Sequence, residues 1–267
     1  MNAPDKNSKP GKPDAKLVRV VDRAGRIMGC FGHGSAELSL PQLCARLELP
    51  KATVFRILTT LVDQGWLSYN QSTAVYTLGF AALRHADSLL RGLGIRPKAR
   101  PFMRAVRDAV NETVILSVRD GDSRINIDSF DGGQAIGQTL QLGVRAPLYT
   151  GAASQVFLAA MSDAEIEAYL ARTPLTSFNP ATLTTPDAIR RRIEQVRADG
   201  YARSFGEFTA SASQTVAIAV AVKDASGHVV AALHVSAPHS RMTDELEQAC
   251  RAVLLRESAA LAAALTS

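Results

Sequence analysis

The chain has 267 residues, 46% hydrophobic and 21% charged, a length that fits two domains at roughly 100–200 residues each. That composition excludes wholly disordered, collagenous and coiled-coil chains, and no apolar run approaches the ~18–20 residues that cross a bilayer. The net charge of +5 is uneven: residues 1–100 hold 15 Lys and Arg against 7 Asp and Glu, whereas the rest hold 15 against 18, which points the front third at a polyanion.

Residues 1–16 are rich in Lys and Pro and lack an apolar stretch. They are expected to be a disordered tail and not a secretory signal, so a cytoplasmic location is expected. From 17 to 31, Leu17, Val20, Val21, Ala24, Ile27, Met28 and Phe31 recur at helical spacing, ending at Gly32 and Gly34. Ser39 suits an N-cap, with Pro41 in the first turn of a second helix to about residue 47. Pro50 opens a third helix whose buried stripe is Val54, Ile57, Leu58, Leu61 and Val62, and Gly65 stops it. Strands at 66–69 and 75–78 flank the polar turn 70–73 as a hairpin. Three helices and a hairpin over residues 17–79 outline a winged helix-turn-helix.

Residues 80–91 continue as a helix within a linker spanning 80–95. The second domain, 96–267, opens with a helix to about 111. Strands are expected at 113–118, 124–130 and 138–142, then helices at 151–161, 163–172 and 186–198. Strands at 216–222 and 229–235 flank a turn, and a last helix runs from a Thr243 cap to about 264. Mixed strands and helices with paired strands near the end give an α+β fold with an antiparallel or mixed sheet.

The third helix carries the most specific pattern. Away from its apolar stripe lie Lys51, Ala52, Thr53, Phe55, Arg56, Thr59 and Thr60. Arg suits bidentate contact with guanine, while Lys and Thr suit phosphate oxygens, which makes this the candidate recognition helix for double-stranded DNA. Cys30, Cys44 and Cys250 form no CxxC pair, and His228, His234 and His239 fall on a turn, a strand and a loop. No metal site follows, and the absence of P-loop and dinucleotide-binding patterns suggests no cofactor.

At this point the sequence resembles the IclR family of bacterial transcriptional regulators. The likeness lies in Leu38-Ser39-Leu40, in Leu49-Pro50-Lys51-Ala52-Thr53-Val54-Phe55-Arg56, in Gly65-Trp66-Leu67 and in Tyr76-Thr77-Leu78-Gly79. It returns at Asn111-Glu112-Thr113, Pro147-Leu148-Tyr149-Thr150, Gly200-Tyr201-Ala202 and the strand ending His234-Val235-Ser236. The resemblance implies a winged-helix domain joined by a linker helix to a GAF-like effector domain. It also implies a homodimer or homotetramer that reads a palindromic operator and responds to a small organic acid. Lys51, Ala52, Thr53, Arg56 and Thr60 would meet DNA, and the 70–73 turn would be the wing.

The effector site implied by the family comprises Ala152, Ala153 and Ser154 at a helix start, Glu207 after Gly-Tyr, and His234 and Ser236 on a strand. Backbone N–H groups at such a helix start suit a carboxylate. His234 stands where a Ser is common in the family and would add a hydrogen-bond donor, and Ala217 stands where a Cys is frequent. Two rival readings remain: a DNA-binding protein whose second domain only assembles, and a small-acid hydrolase with Ser154 as nucleophile. The second lacks the G-x-S-x-G turn, so an enzyme is not expected.

Overall fold

The computed structural model describes residues 17–32, 35–133, 142–207 and 214–266; the expectations placed on residues 1–16, on Gly34 and on 138–141 lie outside them. The chain divides into two compact units, Met1–Leu89 and Leu90–Ser267.

In the first unit, α1 (Arg19–Met28), β1 (Leu38–Ser39), α2 (Leu40–Leu47), α3 (Lys51–Asp63), β2 (Leu67–Asn70) and β3 (Val75–Leu78) follow in order, and α4 (Phe80–Gly92) leads out of it. α1 stops at Met28, with the Gly29 N–H bonded to the Gly25 carbonyl, yet Phe31 stays buried beyond its end. The Ser39 N–H donates to Gln42 Oε1 at 2.8 Å, part of a capping box that starts α2. The α2–α3 turn passes through Glu48 in the left-handed region (φ 54°), and Pro50 is the N-cap of α3. Ile27, Leu43, Val54, Leu58 and Leu67 close the core. β1, too short to show a strand pattern in the sequence, pairs antiparallel with β3, giving the order β1-β3-β2.

The second unit contains α5 (Ile95–Val110), β4 (Thr113–Asp120), β5 (Ser123–Phe130), β6 (Arg145–Pro147), α6 (Ala152–Ala159), α7 (Asp163–Arg172), α8 (Pro186–Asp199), β7 (Ala202–Phe205), β8 (Thr215–Lys223), β9 (Val229–Pro238) and α9 (Asp244–Thr266). Its sheet is antiparallel throughout, in the order β6-β5-β4-β9-β8-β7. The short β6 and β7 went unread because three or four residues are too few to display a period of two. Leu142, the described end of the expected 138–142 strand, lies in a turn instead.

Alternation along each strand divides the core in two. Leu116, Val216, Ile218, Leu233 and Val235 pack with Met103 of α5 and Leu254 of α9. On the opposite face, Ala219 and Ala232 join Val156 and Phe157 of α6, Tyr169 of α7 and Ile193 of α8. Small residues on this face let α6 approach the sheet closely. A bulge between Leu116 and Ser117 sets Leu116 opposite Asp128 and Ser117 opposite Asn126, so one β5 residue is left over. Asp128 therefore turns toward α5, where Arg96 (3.1 Å) and Arg100 (2.9 Å) hold it.

Candidate functional site

On α3, Val54, Ile57 and Leu58 are buried while Lys51, Ala52, Phe55, Arg56, Thr59 and Thr60 are exposed and Thr53 is half-buried. The sequence-derived contact set is therefore on the surface, though on two sides of the helix. Thr53, Arg56 and Thr60 line a cleft of about 360 Å³ between α3 and α1, which they share with Val20 and Arg23. Lys51 and Ala52 lie off that cleft. Arg23 is a second guanidinium there that helix-by-helix reading missed, because its proximity to Arg56 is tertiary. Arg26 and Arg46 have structural tasks: Arg26 Nη2 donates to the Leu47 carbonyl at 3.1 Å, and Arg46 Nη2 to Ser35 Oγ at 2.9 Å.

The hairpin turn is closed by its own side chain. Asn70 Oδ1 accepts from the N–H groups of Ser72 (2.9 Å) and Thr73 (3.3 Å), and Ala74 takes the left-handed conformation (φ 55°). The exposed wing, residues 70–74, carries no charge.

In the second unit the helix-start site is built around α6, which is buried from Ala152 to Leu158. Gly151 caps it at φ 77°, a conformation that favours glycine, and its N–H donates to Glu207 Oε2 at 3.0 Å. Glu207 Oε2 also accepts from Gln155 Nε2 at 2.8 Å, and Oε1 from Arg192 Nη1 at 3.2 Å. Ser204 Oγ accepts from the Ala152 N–H at 2.9 Å. Thus the protein's own carboxylate and hydroxyl already meet the first two amides of this helix, satisfying donors that an α-helix leaves without partners. Burial pushes the Glu207 carboxyl above its ordinary range, against the opposing pull of Arg192 and the hydrogen bonds from Gly151 and Gln155.

Beneath α6, the sheet face presents Ala232, His234 and Ser236 of β9, since Leu233, Val235 and Ala237 alternate into the other core. His234 is 4% exposed and faces Ser117 of β4, with Nε2 and Oγ 3.1 Å apart. Ser117 Oγ donates to Asn126 Oδ1 at 2.9 Å, and Arg124 Nη1 donates to the same oxygen. Burial holds the His234 pKa well below its ordinary value, with the Arg124 charge adding to the shift, so the ring is neutral; burial also lowers Arg124 to about 10. The buried polar atoms that find no partner among the described residues include Ser154 Oγ, His234 Nδ1 and Asn126 Nδ2.

The structure thus joins Glu207 to the α6 start and places His234 and Ser236 on the face that α6 covers. It does not assemble a nucleophilic pair, because Ser154 Oγ makes no hydrogen bond among the described residues and Ser117 occupies His234 Nε2. No group of three or more His, Cys, Asp or Glu that would hold a metal occurs among the described residues. Ser117, Asn126, Arg192 and Ser204 are not singled out by the sequence. For Ser117, Asn126 and Ser204 the signal is a polar side chain at an inward strand position.

A winged helix-turn-helix with an exposed basic recognition helix, followed by a separate α+β unit with polar groups buried beside a helix start, defines a ligand-responsive class of transcriptional regulator. The family profile described as "Bacterial transcriptional regulator IclR C-terminal" matches residues 87–263, and the "IclR helix-turn-helix domain" matches residues 20–71. The chain belongs to the IclR family. It is 30% identical over 227 residues to the HTH-type transcriptional regulator KipR of Bacillus subtilis, covering 85% of this chain and 89% of that one. It is 31% identical over 250 residues to the Pca regulon regulatory protein of Pseudomonas putida, covering 93% and 84%. Among solved structures, an IclR-type regulator from a Silicibacter species superposes with a TM-score of 0.73 at 28% identity, covering 92% of this chain and 96% of that one. The protein is a DNA-binding transcriptional regulator with a C-terminal effector domain. No helix among its described residues is long and apolar enough to cross a membrane.

Proposed function

We propose that this protein binds a palindromic operator as a homodimer or homotetramer in the cytoplasm, and that a small organic acid modulates the binding. Lys51, Ala52, Thr53, Arg56 and Thr60 contact DNA, with Arg23 beside them on a phosphate. The acid sits between α6 and the sheet, its carboxylate on the amides of Ala153 and Ser154, with Glu207, His234 and Ser236 around it. The observation that supports this over an assembly-only domain is the polar lining. Ser154, His234, Ser236 and Asn126 are all buried on α6 and the face it covers, where an assembly scaffold gains only from apolar residues. The chemistry is binding and not turnover.

Exposed apolar side chains support self-association of the first unit. Val18, Val20 and Val21 of the α1 region and Phe80, Leu83 and Leu89 of α4 are each more than half exposed, an apolar surface of the sort that marks interfaces. Effector and operator are then coupled by differential affinity of the acid for two arrangements of the dimer; about 1–3 kcal/mol gives roughly 5–150-fold regulation.

The test is to select operator fragments from genomic DNA with the full-length protein, then titrate carboxylic acids against the complex by fluorescence anisotropy. Sequence-specific binding that shifts at least fivefold with an acid is expected. Operator affinity indifferent to every acid, with folding intact, refutes the sensor reading.

A further inference from the structure

We propose that the effector carries a hydroxyl group besides its carboxylate, and that His234 reads this hydroxyl as a hydrogen-bond acceptor. The inference rests on the effector site described above and deepens it. Its basis is the order of donors and acceptors around Ser117. A guanidinium only donates, so the Asn126 atom that meets Arg124 is the amide oxygen, and Nδ2 is the group left over. That oxygen also meets Ser117 Oγ at 2.9 Å and only accepts, so it takes the single proton of the hydroxyl. Ser117 is then left with lone pairs for His234 Nε2, 3.1 Å away, and the contact forms only if Nε2 carries the ring proton. In a neutral imidazole this makes Nδ1 a bare acceptor.

The chain His234–Ser117–Asn126–Arg124 is therefore polarised in one direction. It ends in a buried acceptor, His234 Nδ1, and a buried donor, Asn126 Nδ2, neither partnered among the described residues. Ser154 Oγ, on the helix above this face, is a third polar atom in the same state. The acceptor decides the ligand chemistry. A carboxylate offers only lone pairs and is repelled by Nδ1. A methyl or methylene leaves Nδ1 unpaired in an enclosed site. A hydroxyl donates to Nδ1 and accepts from an amide such as Asn126 Nδ2. The ligand is thus bifunctional: an anionic end at the amides of α6 and a neutral hydroxyl over β9. The family-typical Ser at this position has a proton to give, whereas His234 in this tautomer has none on its open side, which distinguishes this chain's selectivity.

The experiment uses the full-length protein and acids paired to differ by one hydroxyl: propionate and lactate, butyrate and 3-hydroxybutyrate, benzoate and 3- or 4-hydroxybenzoate. Calorimetric titration is expected to show the hydroxylated member of at least one pair binding tenfold or more tightly. In His234→Phe, which keeps a planar ring and lacks the acceptor, that difference should collapse to twofold or less. Nitrogen-15 spectra of the wild-type imidazole supply a readout free of both ligand and variant, and should place the proton on Nε2. A proton on Nδ1 overturns the inference. So do equal affinities within every pair, which leave the acid-effector reading intact. If no acid binds while operator DNA is still recognised, the effector reading fails and this inference fails with it.

Discussion

Replacing Glu207 separates two roles that one carboxylate plays at the start of α6. As an acceptor it satisfies the Gly151 N–H and Gln155 Nε2; as a charge it faces Arg192, whose side chain is 29% exposed. Burial is the largest influence on its ionisation and outweighs that pairing, since its pKa is raised. A raised folded-state pKa means that the folded protein holds the proton more tightly than the unfolded chain. The associated stability is full below the unfolded value of 4.5 and is lost as pH rises through the higher folded value. Glu207→Gln mimics the protonated form, so its melting temperature at pH 7.5 should equal or exceed that of the wild type, with the gain vanishing at pH 4.5. Glu207→Ala instead strands two buried donors at about 1–2 kcal/mol each, or about 2–4 kcal/mol in all. At about 2–4 °C per kcal/mol for a unit of this size, the melting temperature falls by about 4–16 °C. Differential scanning calorimetry of the three proteins from pH 4.5 to 8 measures both effects. If Glu207→Gln melts well below the wild type at pH 7.5 and the deficit widens with pH, the charge pairing dominates burial and the reasoning is wrong.

Other substitutions address separate parts of the molecule. Arg56→Ala should weaken the operator by about 1–3 kcal/mol and relax its preference over other DNA, whereas Lys51→Ala should weaken both alike and reduce the salt slope by about 1, as read by anisotropy across a salt series. Equal behaviour of the two variants would remove the distinction between base and phosphate contact. Ser154→Ala deletes a hydroxyl with no partner among the described residues; unfolding in urea should change by less than about 0.5 kcal/mol, while affinity for an acid effector falls about fivefold. Asp128→Ala breaks contacts to Arg96 and Arg100, whose side chains are 27% and 43% exposed and can rehydrate. The cost should be about 1–2 kcal/mol by chemical denaturation, below the ~3–5 kcal/mol of a fully buried pair. Leu83→Asp, on the exposed side of α4, should convert the protein to monomers in light scattering; an unchanged mass would place self-association elsewhere.

What the sequence made legible follows the length over which a pattern repeats. α3 and α7 match their expected ranges nearly to the residue because apolar spacing acts within one helix, with Pro50 at the start of α3; in the structure Ser162 caps α7. Thr243 likewise serves the start of α9, bonding the Leu246 N–H through Oγ1 at 3.3 Å. β1 and β7, at two and four residues, exist only because β3 and β8 offer edges to them. The site divides in the same way. Glu207, His234 and Ser236 were reached through family-like order along the chain, while Ser117 and Asn126 become neighbours of His234 only through pairing of β5, β4 and β9. Arg192 is a further step away, because nothing in its helix reveals that its guanidinium reaches Glu207.

The irregularity in the β4–β5 ladder works as a phase shift in an otherwise binary code. With strict alternation, Asn126 and Asp128 would share one side of β5. The extra residue at the bulge lets Asn126 stand opposite Ser117 while Asp128 points to the arginines of α5. One inserted residue therefore writes two polar messages on opposite sides of a single strand, one read by the arginines of α5 and one by Ser117 on the face that α6 covers. Deleting Ile127 would make Asn126 and Asp128 adjacent, and plain alternation would then keep them on opposite faces, at the cost of the buried Ile127 side chain. A substitution that made the ladder regular while keeping Ile127 would instead force Asn126 and Asp128 onto one side of β5. Which polar groups each face of β5 presents is thus set by where the count along the strand is interrupted as well as by which residues the strand contains.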